Sequence, residues 1–264
     1  MNPLRLIRLF ASNAVFSFKA QFNWLYPPMW ITMKLVLTLS QMAFFVFVGQ
    51  FAQPGMVAYI AIGNAIQTMS WNTVFSVINI TGQDKWGGTL PLLLATPAPR
   101  LPVFIGRAMI HVFDGMLSVA ISFAFATFLF GVNLSGANVL ALVVVVFLTS
   151  FTMSGFGLLI GGFSFHFRNP MVFANIFTFV LLIFCGVNFP VSLLPQVLQP
   201  VSYIFPLTYG ISAGRLTIDG ATLTDVSLLL GQMLIVGFIA MFVGYALFRL
   251  FENMARKTGR LEAE

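Results

Sequence analysis

The sequence predicts an all-α integral membrane protein with six transmembrane helices. Apolar residues make up 59% of the chain and charged residues 8%, against roughly half and a quarter in water-soluble domains. Mean hydropathy is +0.95, and uncharged stretches long enough to span a bilayer recur along the chain. One transmembrane domain, residues 1–264, accounts for the length, with 1–28 ahead of the first span, 29–248 as a six-span core and 249–264 as a cytoplasmic tail.

The first segment carries Arg5, Arg8, Ser12 and Lys19 at helical spacing, with Ile7, Phe10, Ala14 and Phe18 on other faces. This is the pattern of an amphipathic helix lying in the membrane interface. Polar interruptions and the lack of a small-residue cleavage site argue against a signal peptide. Trp24, Tyr26 and Trp30 supply interfacial aromatics around Pro27 and Pro28, where the chain turns into the bilayer.

Apolar stretches then cover about 29–51, 56–80, 103–130, 139–163, 171–187 and 227–248. An even number of spans puts both termini on one side. Lys and Arg are retained in the cytoplasm, and with both termini there, 12 of the 13 basic residues lie inside or near inner span ends, leaving Arg215 outside. Lys34 and Arg107 fall within span ends and are expected to snorkel to the interface. The basic residues are scattered rather than gathered into a stripe, which speaks for topology and against a nucleic-acid partner.

Two connections depart from simple loops. Between the second and third stretches, Gly87 and Gly88 break the helix, Thr89 caps a new one, Pro91 suits its first turn and Pro97 stops it. The short helix over 90–96 is leucine-rich on more than one side, as expected of a knob seated in a cytoplasmic partner or of a helix lying on lipid. After the fifth stretch, Pro190, Pro195, Pro200 and Pro206 forbid one continuous helix through an apolar segment. The expectation is an outer re-entrant helical hairpin between spans 5 and 6, with a plain extracellular loop as the alternative.

Polar chemistry inside the spans is sparse. The second span carries Asn64, Gln67, Thr68, Ser70, Asn72, Thr73, Ser76 and Asn79, which would be unfavourable against lipid and so face protein or a translocation route. In the third, Arg107, His111 and Asp114 share a helical face, either as an internally neutralised tie or as part of a substrate or proton path. Gly157 and Gly161 form a GxxxG close-packing face. Gly210, Ser212 and Gly214 spell GxSxG, but no histidine follows His166 to complete a hydrolase triad, so these glycines are read as packing residues too. Cys185 is alone, which excludes a disulfide framework and a thiolate metal cage. No lysine follows a glycine, so a phosphate-cradling P-loop is absent from this sequence.

The run Gly88, Thr89, Leu90, then Leu92 to Leu94, then Thr96 and Pro97 resembles the cytoplasmic-loop signature of type-2 ABC exporter membrane subunits. Phe189, Pro190, Leu194, Pro195, Pro206, Leu207, Thr208 and Tyr209 are similarly placed to that family's outer segment, and 165–170 to its second cytoplasmic turn. Pro91 departs from the family, which usually has an acidic residue there.

The resemblance implies a permease subunit with no catalytic site, cofactor or metal of its own, in a bacterial or archaeal cytoplasmic membrane. It would pair with a second permease, identical or not, above two ABC ATP-binding subunits that hold ATP and Mg. Coupling to the ATPase would fall to Thr89, Leu90, Leu92, Leu93, Leu94, Thr96, Pro97, Phe167 and Arg168. Asn64, Gln67, Asn72 and Asp114 are candidates for the translocation route, and Phe189, Pro190, Pro206 and Tyr209 for an outer gate. The expected activity is outward movement of a hydrophobic or amphipathic drug, natural product or lipid-linked molecule. A lipid-linked glycan exporter is the alternative, and an ion-coupled secondary transporter a more distant one.

Overall fold

The computed structural model describes residue 12 and residues 27–86, 100–164 and 170–258. Helix α1 runs Pro27–Ala52, α2 Val57–Trp86, α3 Arg100–Phe130, α4 Val139–Ser164, α5 Pro170–Phe184, α6 Gln199–Ser202, α7 Pro206–Ile218 and α8 Ser227–Thr258. Single 3-10 turns stand at Pro54–Met56 and Val191–Leu193, and no strand occurs among the described residues. The expected N-terminal interfacial helix, the coupling helix and the 165–169 part of the second cytoplasmic turn lie outside the described residues.

Among the described residues, four helices are long and apolar enough to cross a membrane: Pro28–Ala52, Met109–Phe130, Val139–Gly161 and Ser227–Leu247. The other two expected spans exist as helices with distinct characters. Helix α2 has 30 residues but carries the polar series described above. Helix α5 has 15 residues, roughly 22 Å at about 1.5 Å per residue, short of a hydrocarbon core of about 30 Å. It ends at Phe184 because Gly186 adopts φ 69°, a left-handed backbone that turns the chain and is open chiefly to glycine.

Helices α2 and α4 occupy the centre. Helix α2 packs on α1, α3, α4, α5 and α7, while α4 also packs on α3, α5, α7 and α8. The buried core draws Met42 and Val46 from α1, Ile66 and Met69 from α2, Val119 from α3, Met153 from α4, Leu181 from α5, Ile211 from α7 and Ala240 from α8. Close approach is set by small residues. A Cβ on Gly157 would stand 2.8 Å from Val77 Cβ, and one on Gly244 2.6 Å from the Leu159 backbone nitrogen. The first half of the GxxxG pair thus faces α2, and the close seam between α4 and α8 is made by Gly155, Gly237 and Gly244.

The segment between α5 and α8 is broken as its prolines require, though unevenly. Pro190, Pro195 and Pro200 each remove an amide donor before a helical ladder can build, so the first arm is the 3-10 turn followed by the four-residue α6. Pro206 then stands in the first turn of α7, where its missing donor is harmless. Helix α7 ends in a Schellman turn: Gly220 has φ 96°, with Ala221 N–H donating to the Leu216 carbonyl at 2.9 Å and Gly220 N–H to Thr217 at 3.2 Å.

Candidate translocation route and outer gate

Helix α2 places its polar residues against protein. Asn64 and Gln67, one turn apart, are buried, and Asn72 is half-buried. Asn64 Nδ2 donates to the Ile60 carbonyl at 2.9 Å and to Asn188 Oδ1 at 2.8 Å, which ties α2 to the bend after α5. Gln67 Oε1 accepts from Gln41 Nε2 of α1 at 2.8 Å. Thr68 Oγ1 donates to the Asn64 carbonyl at 2.8 Å and lies 3.2 Å from Ser122 Oγ of α3. Lower on the helix, Thr73 Oγ1 and Ser150 Oγ of α4 are 2.9 Å apart. Asn72 satisfies its amide on the Thr68 carbonyl at 2.9 Å. These bonds form an uncharged polar seam along α2. Asn64 Oδ1, Gln67 Nε2 and Ser70 Oγ make no hydrogen bond to protein and supply one acceptor, one donor and one hydroxyl.

The Asp114 carboxylate is paired with α1 rather than with the seam. Its Oδ1 is 2.6 Å from Lys34 Nζ of α1, with side chains 6% and 11% exposed. The same ammonium donates to the Asp114 carbonyl at 3.0 Å and to Ser118 Oγ at 2.7 Å. Lys34 therefore does not snorkel: it reaches inward, because a carboxylate on the neighbouring helix offers a closer partner than the headgroups. Of the expected stripe on α3, His111 is buried, and the Arg107 side chain lies outside the described residues. The neutralising charge for Asp114 comes from another helix.

The outer segment is fastened by Arg215, the one cation expected outside. Its Nη2 donates to the carbonyls of Tyr59 at 3.0 Å and Val187 at 3.1 Å, and its Cζ lies 3.3 Å from the Tyr59 ring centroid, a cation–π geometry. The Tyr59 hydroxyl donates in turn to the Gly186 carbonyl at 3.3 Å. One half-buried guanidinium thus joins α2, the bend after α5, and α7. The expected gate residues are distributed over the bend and the start of α7 and are not brought together. Phe189 and Pro190 are half-buried in the bend, where the Pro190 carbonyl accepts from Leu193 N–H at 3.0 Å. Pro206 is buried at the start of α7. Tyr209, one turn on, is half-buried and donates its hydroxyl to the Tyr203 carbonyl at 3.0 Å.

Ser212 of the GxSxG run sits inside helix α7, with its hydroxyl on the Thr208 carbonyl at 2.8 Å. A nucleophile elbow needs a strand-to-helix turn, and none is present there. Gly210 admits Thr149, and Gly214 admits Ile66. Lys34, Gln41, Tyr59, Asn188 and Arg215 were not among the residues the sequence singled out for the site. The available signal was Lys34 and Asp114 themselves, opposite charges placed singly inside two different spans. The expected coupling residues Thr89, Leu90, Leu92, Leu93, Leu94, Thr96, Pro97, Phe167 and Arg168 lie outside the described residues.

No curated protein matches the chain. The family model of the ABC-2 type transporter matches residues 14–218, which take in α1 to α7 and the connections between them. With a match over most of its length and several membrane-length apolar helices, the chain belongs to the ABC-2 type transporter family and is a multi-pass membrane protein.

Proposed function

We propose that the chain is the membrane-spanning subunit of an ATP-driven exporter, moving a hydrophobic or amphipathic molecule outward on energy from a separate ATP-binding subunit. The observation that carries this reading is the family match over residues 14–218. The family implies an ATP-binding partner, and the proposed assembly has two of these beneath two permeases. In it α2 and α5 complete six spans, both termini are cytoplasmic, and the leucine-rich 90–96 helix receives the motor's stroke.

The character of the interior supports a cargo with modest polarity. The seam on α2 is neutral and amide-rich, and its orphan acceptor, donor and hydroxyl at Asn64, Gln67 and Ser70 suit neutral hydrogen-bonding groups better than a fixed charge, which demands a paired counter-charge when desolvated. Asn64, Gln67 and Asn72 are the proposed route residues. Phe189, Pro190, Pro206 and Tyr209, on the segment that Arg215 fastens to α2, are the proposed outer gate.

The test is the docking helix. Leu92→Asp with Leu93→Asp should abolish co-purification of the ATP-binding subunit with the permease, or at least remove the permease's effect on its ATP hydrolysis. Co-purification and ATP hydrolysis equal to those of the unaltered complex would overturn the reading.

A further inference from the structure

The proposed function leaves the buried ion pair between α1 and α3 without a role. Lys34 Nζ has three protons and three acceptors: Asp114 Oδ1, the Asp114 carbonyl and Ser118 Oγ. Trp30, one turn earlier, lays its ring centroid 5.0 Å from the ammonium. No donor is left over for a passing ligand. Separating charges so enclosed strands both of them in a medium of low dielectric, among the most unfavourable changes open to buried groups.

Further along, α1 buries Met42 and Val46 in the core and donates from Gln41 to Gln67 of α2, but no other charged group fastens it to α3 among the described residues. Val36, Phe44, Phe47 and Phe51 are exposed along it, and toward its far end it meets α3 through the edge-on ring pair Phe47 and Phe130, with centroids 5.9 Å apart. Helix α3 begins at Arg100, directly after the segment that holds the expected coupling helix. Asp114 is 14 residues further along, roughly 21 Å at about 1.5 Å per residue.

We propose that Lys34 and Asp114 are positioning residues that stay paired through the transport cycle and make α1 and α3 move as one body. The inference rests on the permease reading above and takes Asp114 off the cargo's path. A push delivered at the inner end of α3 reaches the pair and passes there into α1, so the two helices share one displacement through the cycle.

Spin labels test it. A label pair at Val36 and Phe128 reports the α1–α3 distance, and a pair at Phe128 and Phe242 the distance from α3 to α8; all three side chains are exposed. Labelled permease is diluted into unlabelled permease, complexed with its ATP-binding subunit in phosphatidylethanolamine–phosphatidylglycerol nanodiscs, and measured without nucleotide and with ATP and vanadate. The expected result is an unchanged α1–α3 distribution beside an α3–α8 shift of at least about 2 Å, the scale of helix and domain displacements. A nucleotide-driven α1–α3 shift of that size overturns the proposal.

The double variant Lys34→Met with Asp114→Leu removes both charges and strands neither. It should broaden the α1–α3 distribution about twofold, since an apolar contact replaces three directed bonds. An unchanged width would show that packing alone fastens the two helices and would overturn the pair's role. If neither distance responds to nucleotide in the unaltered complex, the permease reading fails and this inference fails with it; movement of the α1–α3 pair alongside α3–α8 sinks only the inference.

Discussion

A methyl group on Gly63 would meet the Val187 carbonyl oxygen and stand 2.6 Å from Arg215 Nη2. Gly63→Ala should therefore unseat the guanidinium and loosen the outer joint, with a cost of about 1–3 kcal/mol, as for other overpacked sites. Thermal unfolding in detergent checks it, and an unchanged melting temperature would show that Arg215 is not held where the glycine admits it. A second residue-scale expectation concerns Asp225, fully exposed ahead of α8. The Thr222 hydroxyl and then its backbone N–H, both hydrogen-bonded to the carboxylate, hold Asp225 below its ordinary value. A carboxyl depressed in the folded state stabilises above its unfolded value of about 3.9, and that contribution disappears as pH falls through the lower folded value. Asp225→Asn should thus differ from the unaltered protein at neutral pH and converge with it below about pH 4. A gap that persists in acid would point to lost geometry instead of lost charge. Neither Arg215 nor Lys34 could be placed from sequence alone, because hydropathy gives the depth of a side chain and not the face of the neighbour it meets.

Helices were more legible than their neighbours. The stretches at 29–51 and 139–163 agree with Pro27–Ala52 and Val139–Ser164 to within two residues at each end. The errors are systematic: α2 continues to Trp86 and α8 to Thr258, past the ends of their apolar runs at 80 and 248. Hydropathy measures the thickness of hydrocarbon to be crossed, whereas a helix stops only where a breaker or a cap stops it, and no proline stands in either extension. The broken segment before α7 was legible from its prolines, and the unequal length of its arms was not. At this scale the glycine seam between α4 and α8 invites a controlled comparison. A Cβ on Gly244 would lie 2.6–2.9 Å from the Leu158 and Leu159 backbone, whereas one on Gly231 of the same helix meets nothing within 4 Å. Gly244→Val should lower the melting temperature in detergent well beyond the effect of Gly231→Val, which carries only the propensity change of an exposed helical site. Equal effects would show that the seam does not depend on close approach.

For the whole molecule, the proposed orientation has cytoplasmic termini and α6 and α7 on the outer face. Gln196→Cys, exposed beside α6, should react with a membrane-impermeant maleimide in intact cells, and Arg256→Cys only after permeabilisation. Cys185 is 1% exposed and should remain unlabelled as an internal control. Outside labelling of Arg256→Cys would invert the proposed arrangement and remove residues 90–96 from the motor's compartment. Asn64 and Gln67 could be singled out from sequence because amides are unfavourable against lipid, but their packing onto Asn188 and Gln41 required three dimensions.

Lys34 leaves the ribosome 80 residues ahead of its carboxylate, about 4–16 s at ~5–20 residues per second. Through that interval the newborn first helix carries a cation without its carboxylate, whose place while it waits is the bilayer's watery margin, within reach of a side chain so near the span's end. The tie between the first and third helices is thus a late event of synthesis, closed only after the third helix has been made.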